Sequence, residues 1–539
     1  MPASPDRSQL RSEELPELAI TGPFGGVQSE LPLTGIEPYG FYDTTNIIFR
    51  KGVASIRPGY SALPALPTFP PTESINGIAD FFASDGSHQQ VVWTPTKLFK
   101  WNGASSTWTQ ITGGPALTGT ASQLFSWDVV GYKLAFSQGV NPILVWDGIA
   151  GSYALSSGSA PAARYLAEIN LHLMAGYTTE GGMTFPSRYH WSGNGDTTDW
   201  TSINSGLNDE LNNLGPITGI VKLGLYGFGL HQNGIVEIVP TGNGLFPFAF
   251  YPIINAAMGS IAPYSLDHVD LDGQECAVYL GYDNVYLFNG TSIVPIGDSP
   301  IDGRKRLGAR SRIMADVRSG GVQNVYSFVT YSIAGNIFKA YWLVVPNISV
   351  WVYNFDEGNW TVFVYDQKIN VLGDFFKTGV PRIIDLVGSI AQQNWSPATL
   401  VATDPFDGLG IGFASGTVGF TDFTTFSETA WRIISGKHTF GDRRHRHTLK
   451  KFRLVTNGSS TPVSYTIIVT NELNISQSQV VTIGNNSGDD LSVVVEFNIT
   501  GLRLQWTIAG GPFAAASFVE FALIYDTAGE QRGGSADNN

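Results

Sequence analysis

The sequence predicts an all-β chain: a β-propeller of seven candidate blades joined to a C-terminal β-sandwich domain. A short apolar-aromatic strand followed by Asn-Gly or Asp-Gly keeps returning. It reads Leu98-Phe99-Lys100-Trp101-Asn102-Gly103, then Ile143-Leu144-Val145-Trp146-Asp147-Gly148, then Val285-Tyr286-Leu287-Phe288-Asn289-Gly290. Asn or Asp before Gly suits the positive-φ geometry of a two-residue hairpin turn. The first two copies begin about 45 residues apart, the spacing of a four-stranded unit repeated around an axis. Composition agrees: only 14% of residues are charged, against an average of about 25%, while 62 Gly, 13 Trp, 21 Tyr and 32 Phe supply turns and pleated faces. At 539 residues the chain exceeds what one ordinary core sustains, so several domains or a repeat array are required.

Residues 1–40, centred on Gly22-Pro23-Phe24-Gly25-Gly26, read as an extended N-terminal arm, a kind of segment that orders against a neighbour. The best helical candidate is 8–18, which Pro16 interrupts, so very little helix is expected. The propeller is assigned to 41–428, and within it the alternating hairpin ending at Pro58-Gly59 (41–60) offers a strand pair to close the ring on the last blade. Two blades centre on Trp101 and Trp146. The others fall at 165–200, 217–252, 266–295, 325–364 and 370–426, with six blades plus an insertion as the alternative count. From 429 to 526 the aromatic hairpins give way to Ser, Thr, Asn and Val alternation, as in Val463-Ser464-Tyr465-Thr466-Ile467-Ile468-Val469, which reads as a separate sandwich. Residues 527–539 read as a polar, disordered tail.

A net charge of −14 argues against a general nucleic-acid binder, which gains affinity by neutralising phosphates. It is compatible with a conduit along which DNA slides. The N-terminus has no signal-peptide pattern and no run of about 20 apolar residues occurs, so a chain without a membrane segment, made in a cytoplasm, is expected. The single cysteine, Cys276, lies in a strand and reads as a small buried apolar side chain. Asn-x-Ser/Thr triplets such as Asn289-Gly290-Thr291 read as chance matches.

Catalytic signatures are missing: no nucleophile elbow, zinc-binding His-Glu-x-x-His, phosphate loop or dinucleotide fingerprint is legible. Asp267, Asp270, Asp272 and Gly273 come nearest to a metal loop, but His268 and Val269 stand where oxygen donors belong, and a turn is the simpler reading. Asp209, Glu210, Asp356 and Glu357 are loop carboxylates that nothing in the sequence brings together as a glycosidase pair. No catalytic residue, cofactor or metal is therefore expected. The strand tryptophans, Trp101, Trp146 and Trp351 among them, read as blade core and not as a sugar platform. Two basic clusters stand out. Arg304, Lys305, Arg306, Arg310 and Arg312 lie between the fifth and sixth blades, and Arg443, Arg444, His445, Arg446, His447, Lys450 and Lys451 lie in the sandwich. They are candidate contacts to an acidic neighbouring subunit or to DNA phosphates.

Three segments together carry a resemblance. Thr45-Asn46-Ile47-Ile48-Phe49-Arg50-Lys51-Gly52 with Arg57-Pro58-Gly59, Phe185-Pro186-Ser187-Arg188-Tyr189-His190-Trp191-Ser192 with Asp199-Trp200, and Trp431-Arg432-Ile433-Ile434-Ser435-Gly436-Lys437 resemble landmarks of tailed-phage virion proteins. Over some 400 residues the chain is similar to the propeller-containing tail hub or nozzle proteins of short-tailed bacteriophages. The resemblance implies a virion structural protein assembled as a ring, usually a homo-hexamer, below the portal and adaptor. Such a ring extends the DNA channel, passes double-stranded DNA, helps retain the genome and supports tail-fibre attachment. No family catalytic residue exists to carry over. The alternatives are a receptor- or glycan-binding propeller on the virion surface and, behind it, a polysaccharide depolymerase.

Overall fold

Blade formation follows from strands that bury aliphatic and aromatic side chains on both faces, such as Leu144–Trp146 and Val285–Phe288, whose residues are all buried. A computed structural model describes residues 15–528 apart from 68–72, 104, 211–212, 254–258, 299–307, 334–335, 376–407, 422–426, 441–444, 457–461, 484–490 and 513–516. The chain divides into two units, Arg57–Thr429 and a second built from Met1–Ile56 with Ala430–Asn539.

The first unit is a β-propeller. Among the described residues, seven antiparallel groups of four strands follow one another. Their inner strands are Gly77–Phe82, Ser126–Val130, Ala162–Ile169, Ile217–Leu223, Asp267–Leu271, Tyr326–Ile333 and Ile369–Phe375. The seventh blade takes its outer strand from the start of the unit: Ser61–Ala62 pairs with Val418–Thr421, in register Gly419↔Ala62 and Phe420↔Ser61. Two residues close the ring. The hairpin at 41–56, expected to do so, belongs instead to the other unit. There Ile47, Phe49, Ala54 and Ile56 bury one face, and Val53–Ile56 pairs with Ser517–Ala528.

The Asn-Gly and Asp-Gly signatures mark the link from third to fourth strand in the first, second and fifth blades, but not as two-residue turns. Asp147 Oδ1 accepts the N–H groups of Ile149 and Ala150, and Asn289 Oδ1 accepts those of Thr291 and Ser292. The side-chain oxygen caps a wider turn, and the positive φ falls on Gly148 (82°) and Gly290 (90°).

Neighbouring blades are fastened through their inner strands. Ser126 Oγ and Asp128 Oδ2, in the second blade, accept the N–H groups of Leu166 (2.9 Å) and Glu168 (2.5 Å) in the third. Asp267 Oδ2, in the fifth, accepts the N–H of Val329 (2.7 Å) in the sixth, and the Tyr326 hydroxyl donates to the Leu372 carbonyl (3.0 Å) in the seventh. Between the third and fourth blades the buried Tyr189 hydroxyl donates to His231 Nε2 (2.7 Å), whose Nδ1–H donates to the Gly215 carbonyl (2.8 Å). Burial holds His231 below its ordinary value, in keeping with that neutral tautomer. Gly229 faces this pair; a Cβ there would collide with the Tyr189 hydroxyl.

The second unit is a β-sandwich. One sheet holds Glu17–Thr21, Ile47–Arg50, Val53–Ile56, Arg446–Thr456, Leu491–Gly501 and Ser517–Ala528; the other holds Phe41–Thr45, Trp431–Ser435, Val463–Asn471, Ser476–Ile483 and Leu504–Gly510. Phe24, Phe41, Phe49, Trp431, Phe452, Trp506 and Phe521 share its core, with the Phe41 and Phe49 rings stacked 5.3 Å apart. The described part of the expected arm is therefore a structural piece of this unit: Glu17–Thr21 pairs along Ser517–Ala528, and Phe24 and Val27 are buried. The helical candidate at 8–18 falls largely outside the described residues, and its last two positions are strand. The α-helix among the described residues is Arg310–Gly320, between the fifth and sixth blades. The tail beyond Ala528 lies outside the described residues.

His438, buried in the sandwich unit with Nε2 unpartnered among the described residues, is held down at about 4 by burial. Its folded value lies below the unfolded one of about 6.5. Above that pH neither state is protonated and its stabilising effect is complete; as pH falls toward 4 the unfolded chain alone takes the proton. Urea titrations at pH 7.5 and 4.5 should show the sandwich transition losing about 3 kcal/mol more in the native protein than in His438→Phe. Parallel losses in the two proteins would refute this.

Candidate functional site

The sandwich's basic cluster sits on Arg446–Thr456, a strand that alternates buried and exposed positions and carries a bulge at Lys450. Arg443 and Arg444 lie outside the described residues, and His445 is exposed. Arg446 Nη2 lies 4.0 Å from Glu472 Oε1, and Lys451 stands opposite Glu496 in strand register. Backbone N–H groups of Leu502 and Arg503 also bond Glu472, whose carboxyl stays below its usual range although desolvation opposes that shift. His447 departs from the expectation. It is buried with its ring 5.3 Å from those of Phe440 and Tyr525, and neither ring nitrogen has a partner among the described residues. Strand alternation turns its ring inward, away from the surface. Lys450 is half-buried and Lys451 exposed, leaving Arg446 and Lys451 as the exposed cations of this stretch.

Of the other cluster, Arg304, Lys305 and Arg306 lie outside the described residues. Arg310 and Arg312 occupy the first turn of the helix Arg310–Gly320. Arg310 Nη1 is 3.6 Å from Asp298 Oδ2, and the Arg312 guanidinium lies 5.4 Å from the Trp351 ring centre. Asp316 anchors the helix by accepting bonds from Ser349 Oγ (2.6 Å) and Trp351 Nε1–H (2.9 Å).

The inner strands of all seven blades enclose an axial cavity of about 390 Å³, lined by Asp80, Asp267, His268 and Asp374 among tyrosines and aliphatic side chains. Asp80 bonds His88 Nε2 at 3.1 Å. Burial pushes Asp267 up to about 7 and Asp128 up to about 6, against the pull of the two backbone N–H groups each accepts. These carboxyls act as blade fasteners. The loop carboxylates are not brought together. Asp209 makes a two-pronged bond to Arg188 Nε and Nη2 (2.7 and 2.8 Å) at the outer strand of the third blade, with Glu210 buried beside it in sequence. Asp356 and Glu357 fall in a hairpin of the sixth blade, where the Asn354 side chain caps their backbone N–H groups. By strand direction these two sites emerge on opposite faces of the propeller. Asp270 caps the Gly273 N–H in a hairpin turn, and the described residues contain no group of three or more His, Cys, Asp or Glu able to hold a metal. Burial raises the Cys276 thiol, which is no activated nucleophile. Among the described residues no helix is long and apolar enough to cross a membrane.

No family model and no curated protein matches this chain. Solved structures do. The extracellular domain of a hybrid two component system, BT4673 of B. thetaiotaomicron, aligns at 10% identity and TM-score 0.41, spanning 81% of this chain and 47% of that one. The computationally designed Ika8 protein aligns at 10% identity and TM-score 0.34, over 67% and 99% of the two chains. An exo-beta-1,3-galactanase of Phanerochaete chrysosporium aligns at 12% identity and TM-score 0.23, over 94% and 100%. The fold assignment rests on the strand pairing itself.

All three segments behind the phage resemblance do structural duty. Arg57 is wholly buried: its Nη2 reaches Glu428 Oε1 (2.5 Å) and the Val364 carbonyl (2.8 Å), with the guanidinium 3.9 Å from the Tyr365 ring centre. Arg188 stacks on Phe185 (3.6 Å) and ties Glu180 to Asp209, while the buried Trp200 donates to Ser156 Oγ (2.8 Å). Trp431 fills the sandwich core, and Arg432 reaches Asp43 at 2.7 Å.

Sequence reading missed one feature, a groove of about 300 Å³ between the third and fourth blades lined by Asn170, Asn194, Asn204, Asn243 and His172. Clustered Asn and Gly in these loops was the available signal, but each alone reads as turn chemistry.

Proposed function

We propose that the chain is a structural protein of a phage tail: a ring-forming hub or nozzle that extends the DNA channel, helps retain the packaged genome and supports fibre attachment. What supports this reading is that each segment carrying the resemblance is a fastening point of the architecture, Arg57 at the joint of the propeller's ends above all. Residues that decide how a chain is clasped are those a shared architecture has reason to share. Support also comes from ionisable groups spent on fastening, Asp128 and Asp267 between neighbouring blades and Arg188 across the outer strands of the third. A rigid wall for a passage needs such fasteners. Arg310, Arg312, Arg446 and Lys451 are then the described cluster cations that would meet an acidic neighbouring subunit, a contact that weakens as salt rises.

Single-particle imaging of the purified full chain, with native mass spectrometry, is expected to show a closed cyclic ring, six-membered by the resemblance, and a particle reconstruction should seat it on the tail axis. A monomer at all concentrations, or a position away from that axis, would overturn the proposal.

A further inference from the structure

We propose that the groove between the third and fourth blades is a binding site for a neutral oligosaccharide. In each blade the links from first to second and from third to fourth strand emerge on the same face, because successive strands run antiparallel. On that face Asn170 comes from the first hairpin of the third blade, Asn194 and Asn204 from its link to the outer strand, and Gly242, Asn243 and Gly244 from the corresponding hairpin of the fourth. The floor is organised. His172 Nδ1–H donates to the Ser192 carbonyl (2.6 Å), which leaves Nε2 as an acceptor facing the Asn194 amide at 3.4 Å, and that amide also donates to the Asn170 carbonyl (3.3 Å).

Turn chemistry accounts for part of this asparagine content. Asn170 sits at φ 50°, and Asn243 Oδ1 caps the Leu245 N–H (2.9 Å). It does not account for the rest. Among the described residues the side-chain amides of Asn170 and Asn204, and the Nδ2 of Asn243, have no hydrogen-bond partner. Such amides present donors and acceptors together, the complement of hydroxyl groups that both give and accept. No Asp, Glu, Lys or Arg lines the groove, so its chemistry selects an uncharged ligand.

Exposed apolar residues adjoin the lining positions in sequence: Leu171 follows Asn170, Ile203 precedes Asn204, and Leu245 and Phe246 follow Gly244. Phe246 is 70% exposed, Ile203 69%, Leu171 57% and Leu245 54%. Leu171 also holds φ 67°, at a hairpin position where Gly or Asn is at ease and a branched apolar residue is strained. A strained, solvated leucine contributes nothing to the blade core. Beside an amide-lined groove it supplies, with Phe246, a surface for the C–H faces of a pyranose, whose hydroxyl edges the amides take.

The full-length protein should be probed on an array of neutral and anionic oligosaccharides, with hits measured by calorimetry. At least one neutral oligosaccharide is expected to bind. Asn204→Ala and Phe246→Ala should each weaken it about tenfold, while Asn233→Ala, on the opposite face, should leave it unchanged. Asn204 lies in a surface loop and Phe246 is an exposed residue that opens the outer strand Phe246–Pro252, and unaltered thermal midpoints will separate lost binding from lost folding. Failure of every neutral oligosaccharide to bind, binding of anionic ones alone, or undiminished binding by the Asn204→Ala/Phe246→Ala double variant would each overturn the assignment. Ring assembly is read by imaging and does not depend on this outcome.

Discussion

Arg57→Ala is expected to destabilise the propeller by about 3–5 kcal/mol, the typical cost of removing one partner from a buried ion pair. The guanidinium is wholly buried, and the Glu428 side chain is only 8% exposed. Without Arg57 the Glu428 carboxylate is left in a low-dielectric site without its guanidinium partner, the Val364 carbonyl loses one of its donors (2.8 Å) and keeps Thr429 Oγ1 (2.9 Å), and the Tyr365 face loses its cation (3.9 Å). Because Arg57 opens the unit and Glu428 lies at its end, the damage should concentrate in the closing blade. Hydrogen exchange should accelerate most in Ile369–Phe375 and Val418–Thr421, with a lowered urea midpoint for the same transition. Arg57→Lys keeps the charge without the planar fork and should fall between the two. Arg57→Met with Glu428→Leu removes both charges and should recover much of the loss. If Arg57→Ala unfolds at the native midpoint, the clasp is incidental.

Trp351→Ala is expected to cost about 3–5 kcal/mol through the cavity it leaves in the sixth blade. Trp351 is wholly buried, packs edge-on against Trp360 with ring centres 6.5 Å apart, and donates its indole N–H to Asp316 (2.9 Å). One substitution therefore removes core volume and one of the two bonds that anchor the helix carrying Arg310 and Arg312. Trp351→Phe separates the two effects. It retains an aromatic ring but no donor and should cost about 1 kcal/mol, with faster exchange in Arg310–Gly320 and little change in Ser349–Asn354. Exchange in the helix that stays native in both variants would show that the Trp351–Asp316 bond does not hold it.

Blade positions were legible because their cause is local. The fourth blade, read as 217–252, spans Ile217–Leu223 to Phe246–Pro252, and the expected pairing of Ala277 onward with Val285–Phe288 is present with Ala277 opposite Phe288. Strand alternation and turn residues act over a few positions, and a reader of the chain sees them directly. The amide groove escaped notice because its asparagines come from loops of two blades and share no spacing.

All-β class, the radial repeat of four-stranded units and the aromatic blade cores were determined by the amino-acid sequence alone, through patterns that repeat within a dozen residues; the count of seven rests on the strand pairing. Tertiary structure decided which edges meet. It chose Ser61–Ala62 over the longer hairpin before it, brought Glu17–Thr21 onto Ser517–Ala528, and joined Arg57 to a carboxylate 371 residues away. A strand edge offers the same row of N–H and C=O groups to any partner. Its choice is settled only when whole apolar faces are buried together, and no local pattern records that.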